Sequence, residues 1–132
     1  MIMASASPDI KPVIWIGSAK RDLRTFPDEV KDSVGFALYV AQQGGKHPDA
    51  KPLRGFAGGG VLEIVEDHRG DTYRAVYMVR LAGRVYVLHA FQKKSKAGIE
   101  TPKAEINLIK SRLKRAEEEH AAWLERRKGT YD

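Results

Sequence analysis

Apolar residues fall into blocks of different period along the chain, and each block predicts an element. Val13-Ile14-Trp15-Ile16, bounded by Pro12 and Gly17, has the length and the β-branched and aromatic content of a buried strand. Ser18 is placed to cap a short helical turn through Leu23, and Pro27 followed by Asp28 and Glu29 forms the first turn of a longer helix. On that helix Val30, Val34, Ala37, Leu38 and Ala41 share one face, and Gly44-Gly45 end it. The two helices are expected as a hairpin. From Gly44 to Gly60 no apolar period survives: six glycines and two prolines mark a long structureless loop, with Gly58-Gly59-Gly60 read as a flexible hinge.

Three strands follow, Val61 to Glu66, Thr72 to Leu81 and Arg84 to Lys93, joined by connections short enough for antiparallel hairpins. Thr101 with Pro102 opens a last helix whose stripe is Ile106, Ile109, Leu113, Ala116 and Trp123, with Gly129 placed to stop it. The elements predict an α+β fold in which an N-terminal helical hairpin and a C-terminal helix pack on an antiparallel β-sheet. One domain is expected over residues 11–128, behind a loose leader at 1–10.

Composition narrows the chemistry. With 132 residues, 42% hydrophobic and 30% charged, the chain has enough apolar material for one core and is unlike a disordered one. It has no cysteine, which excludes disulfides, thiolate nucleophiles and zinc sites built on thiolates. Histidines at 47, 68, 89 and 120 have no metal-ligand spacing, so neither metal nor cofactor is expected. No apolar run is long enough for a membrane span, and the opening residues do not pattern as a signal peptide, so a cytoplasmic protein without membrane contact is expected.

The net charge of +6 points to an anionic partner, and its placement says more than its sum. Between Thr72 and Ile99 stand Arg74, Arg80, Arg84, Lys93, Lys94 and Lys96, without one carboxylate. The preceding strand and turn carry Glu63, Glu66, Asp67 and Asp71 against Arg69, so neutralisation across the sheet and a shared anionic ligand both account for the block. Arg74 lies in an apolar stretch and needs either a carboxylate, for which Glu63 is the structural choice, or an open face where it would grip phosphate with two N–H groups. By strict alternation His89 shares a side with Val87, Phe91 and Lys93, as a packed ring or as a proton-transfer group. In the glycine-rich loop Lys46, His47, Lys51 and Arg54 face only Asp49. The last helix alternates basic and acidic segments, as solvated helices do.

Taken together, Lys51-Pro52-Leu53, Glu63 beside Tyr73-Arg74, Leu88-His89-Ala90-Phe91-Gln92-Lys93-Lys94, and Thr101-Pro102 opening a helix resemble the phage-derived, HigB-like branch of the RelE/ParE toxin superfamily. The resemblance covers about residues 11 to 120 and implies a RelE-like fold and a toxin of a type II toxin–antitoxin pair. It further implies a helix-turn-helix antitoxin as partner, contact with operator DNA only through that antitoxin, and metal-free cleavage of mRNA on the ribosome. The ParE-type alternative is a non-enzymatic inhibitor of DNA gyrase, and a further alternative is a prophage remnant that binds only antitoxin and operator.

For cleavage, the 2′-hydroxyl must attack the adjacent phosphate while cations stabilise the growing charge. The resemblance assigns Arg74 and Lys93 to that clamp and Lys51, Arg54 and Lys94 to the RNA backbone; Lys96 joins the backbone contacts by its charge, and His89 or His47 could serve in proton transfer, with His89 the candidate taken. This chain reads Glu63-Ile64-Val65 where many relatives read Glu-Leu-Arg, so one expected cation on the second strand is missing.

Overall fold

The computed structural model describes residues 10–56, 58, 60–93 and 101–130; most of the expected leader, with Lys94 and Lys96, lies outside them. In chain order the elements are β1 (Val13–Trp15), α1 (Ala19–Arg24), α2 (Asp28–Gln42), β2 (Lys51–Pro52), β3 (Val61–His68), β4 (Asp71–Met78), β5 (Val85–Lys93) and α3 (Lys103–Thr130). The five strands form one sheet in the order β1-β5-β4-β3-β2. The α+β expectation holds, with a difference in strand direction: β1 runs parallel to β5 and every other pair is antiparallel. A parallel neighbour needs a long connection, and here the connection is the whole intervening chain.

Both faces of the sheet are covered. On one, Val30, Val34, Ala37, Leu38 and Ala41 of α2 and Ala19 of α1 pack on Leu62, Ile64, Ala75, Tyr77, Val85 and Val87. The five α2 residues are those that the helical spacing selects. Burial pushes the Tyr77 hydroxyl in this layer up to about 12. On the other face Ile109 and Ala116 of α3 pack on Val61, Val76, Met78, Tyr86 and Leu88, with Ile106 and Leu113 at the margin.

Several local expectations are corrected by packing. The loop from Gly44 to Gly60 is not structureless: Lys51 and Pro52 pair with Glu63 and Leu62 and add a fifth strand. Gly60 is no hinge, because a Cβ there would overlap the Arg80 side chain and its carbonyl accepts the Val79 N–H at 2.9 Å. The hairpin between β3 and β4 closes on Arg69 and Gly70 alone, at φ of 52° and 87°, so the flanking acidic residues expected in the turn are strand. Ser18 makes no side-chain capping bond; its hydroxyl donates to the Asp22 carboxylate at 2.7 Å. At the far end α3 runs through Gly129 to Thr130, about 42 Å of helix at 1.5 Å per residue.

Candidate functional site

The site is made by an irregularity in β5. Val87 pairs with Tyr77 and His89 with Val76, which leaves Leu88 as an extra residue in a β-bulge. Strict alternation puts Val87 and His89 on one side. With the bulge, Val87 points into the core under α2, while His89 turns to the face carrying α3. Phe91 opposite Arg74 and Lys93 opposite Thr72 follow His89. From the other direction Val65 lies opposite Arg74, Glu63 opposite Val76, and Lys51 opposite Glu63. Directly opposed residues share a face. Lys51, Glu63, Arg74, His89 and Lys93 therefore meet on one side of the sheet, beside the start of α3.

Within this group the accessible cations and the buried one are distinct. Lys51 is exposed and Lys93 half-buried. Arg74 is 4% exposed, and its Nη1 donates to Glu63 Oε2 at 3.2 Å and to Thr101 Oγ1 at 3.3 Å. Of the two environments the sequence allows for Arg74, the carboxylate pair is the one present. Arg54 is exposed in the segment after β2. Two other arginines of the cationic block meet acids of α3: Arg80 binds Glu117, and Arg84 lies 3.8 Å from Glu119 with its guanidinium 4.2 Å above the Trp123 ring. The acidic run of α3 thus neutralises the β4–β5 turn.

His89 is buried and both ring nitrogens are engaged. Nε2 lies 2.6 Å from Glu105 Oε1 and Nδ1 lies 3.2 Å from Arg112 Nη1, while the ring stacks on Phe91 at 4.9 Å. A guanidinium only donates, so Nδ1 accepts and the ring proton resides on Nε2, from which it is donated to Glu105. Arg112 also donates to the Leu88 carbonyl at 3.0 Å and to Ser18 Oγ at 2.9 Å. Burial lowers its pKa; Asp22 counters that effect, Arg115 adds to it, Glu105 counters it and Arg21 adds to it.

Glu105 and Arg112 are the functional candidates that sequence reasoning missed. They stand seven residues apart on α3, a spacing that places them on one flank of a helix, and this was the available signal.

A shallow cleft of about 250 Å³ opens here between α1 and α3, lined among others by Asp22, Phe26, His89, Phe91, Gln92 and Glu105. A second cleft, of about 460 Å³, lies away from these cations between β1 and α3. Among the described residues no group of three or more His, Asp or Glu side chains is gathered as a metal site, and no helix is long and apolar enough to cross a membrane.

The fold and site define a small α+β protein with a cation-lined sheet face and a part-buried carboxylate–histidine–arginine network at its margin. A model of the family described as phage-derived protein Gp49-like matches residues 21–114, well over half of the chain, and the protein belongs to that family. No curated protein matches it. Among solved structures it is similar to a chain in the crystal structure of the toxin–antitoxin complex RelBE2 from Mycobacterium tuberculosis. That match has a TM-score of 0.42 and 21% identity, and covers 67% of this chain and 98% of the other.

Proposed function

We propose that this protein is the toxin of a type II toxin–antitoxin pair, acts in the cytoplasm as a metal-independent endonuclease on ribosome-bound mRNA, and is silenced by a helix-turn-helix antitoxin. Membership of the Gp49-like family supports the toxin reading, in keeping with the RelE/ParE resemblance of the strand motifs. The observation that carries the nuclease reading is the common face of Lys51, Arg74 and Lys93, which Lys93 joins after the β5 bulge. An RNA strand laid across that face meets Lys51 on β2 and Lys93 on β5 at separate phosphates, with the scissile one toward Lys93. Arg74 lies beneath it, holding Glu63 and Thr101 in place.

Lys51→Ala combined with Lys93→Ala is expected to relieve growth arrest and to lower mRNA cleavage on ribosomes by about 10²-fold or more, since loss of Lys93 removes transition-state charge stabilisation and loss of Lys51 a contact to the RNA backbone. Cleavage at the wild-type rate by this folded double variant would refute the assignment.

A second reading, inhibition of DNA gyrase without catalysis, is favoured by one feature. Val65 stands opposite Arg74 where the resemblance expects a cation, and Arg74 itself is occupied by Glu63. Inhibition of supercoiling by the purified protein, with mRNA left intact, selects this reading.

A further inference from the structure

The proton acceptor of the proposed reaction is unassigned by the sequence, and the structure narrows it. His89 is poorly placed to touch RNA, being buried with both nitrogens committed. Its half-buried neighbour is Glu105, whose side chain keeps 31% of its accessibility and lines the cleft beside Phe91 and Gln92. Among the described residues, His89 is the group that hydrogen-bonds this carboxylate, and it does so through Oε1. Oε2 remains to accept a proton. Glu105 is held by His89, which shares a sheet face with Arg74 and Lys93, and stands four residues after Thr101, which accepts from Arg74, so the carboxylate is tied to the cationic face.

We infer that Glu105 is the general base that removes the ribose 2′ proton, and that His89, fixed in one tautomer by Arg112, is its positioning residue. The inference rests on the nuclease reading above. In the step, the 2′ oxygen forms a bond to phosphorus as the bond from phosphorus to the 5′ oxygen breaks. The 2′ proton passes to Glu105 Oε2, the departing 5′ oxygen takes a proton from water, and Glu105 returns its proton to solvent. The RNA is left with a 2′,3′-cyclic phosphate and a free 5′-hydroxyl, without oxidant, reductant or metal. The charged and titratable groups facing Glu105 are His89 from β5, Arg112 one face along α3, and Asp22 across the cleft from α1.

The arrangement makes the test specific. Glu105→Gln retains an oxygen able to accept the Nε2 hydrogen bond of His89, so a merely structural Glu105 survives the exchange. The measurement is single-turnover cleavage of a defined mRNA on ribosomes from about pH 3.5 to 8, a range that brackets the ordinary carboxylate and imidazole values. The wild type is expected to lose rate toward acid pH as its base is protonated. Glu105→Gln is expected to fall by about 10²-fold or more and to lose that acid limb, with a near wild-type thermal melt.

His89→Phe keeps a ring over Phe91 but removes the N–H donated to Glu105. A bond to the charged form lowers a carboxyl pKa, so its removal is expected to move the acid limb to higher pH. That shift decides the case if Glu105→Gln fails to fold, and an unmoved limb then overturns the proposal. A folded Glu105→Gln enzyme within about threefold of wild type, against the hundredfold expected of a lost general base, also overturns it. The nuclease reading survives both of those results. Absence of cleavage by the wild type instead removes that reading and this inference with it.

Discussion

Individual side chains in this protein are defined by who holds them. His120 is buried in the α3 layer with Nδ1 2.9 Å from the Tyr86 hydroxyl, and burial together with the nearby Arg84 charge lowers its pKa below the ordinary 6.5. The folded protein therefore refuses a proton that the unfolded chain accepts. Its contribution to stability is complete above about pH 6.5 and is lost as pH falls below that value. Urea midpoints are expected to drop between about pH 7.5 and 5.5 by a margin that narrows in His120→Gln, the variant without this titration. An unchanged margin would assign the acid sensitivity elsewhere. His120 was not legible from the stripe of the last helix, because its polarity hid a residue buried with a hydroxyl partner. The Glu63–Arg74 pair was legible, since an arginine inside an apolar strand requires an acid nearby.

For the elements, helical spacing was more informative than strand alternation. Five side chains at helical spacing sufficed to define the buried face of α2. In β5, alternation failed at Leu88, because a bulge changes the parity of every later residue and depends on the fit between two strands and a helix. The same limit applies to Gly60. A run of three glycines reads as freedom, yet Gly60 is small because the Arg80 side chain lies where a Cβ would go. Gly60→Ala is expected to destabilise the domain by roughly 1–3 kcal/mol through overpacking, seen as a lower urea midpoint with unchanged slope. A wild-type midpoint would restore the hinge reading. Two-residue β2 escaped notice because so short an edge strand has no period at all.

At the scale of the whole molecule, the net charge of +6 is unevenly available. Arg80 and Arg84 meet Glu117 and Glu119, Lys51 and Arg54 are exposed, and Lys93 is half-buried. If RNA engages the last three, the logarithm of the binding constant for single-stranded RNA is expected to fall against the logarithm of salt with a slope of about −2. Lys51→Ala is expected to reduce that slope by about 0.7. Binding insensitive to salt would exclude a phosphate-led interaction. The cationic block was visible along the chain, but which of its members meet the acids of α3 depends on where α3 lies, which no local pattern records.

The parallel pairing of β1 with β5 also sets an order of assembly. Val13 meets Val85 only after every residue between them has been made, so a nascent chain holds its first strand without a neighbour until late in synthesis. Arg112, which joins Ser18 to the Leu88 carbonyl, emerges later still. A stalled or prematurely ended product therefore lacks the seam that shapes the cleft, and completion of the chain and acquisition of the site become nearly the same event.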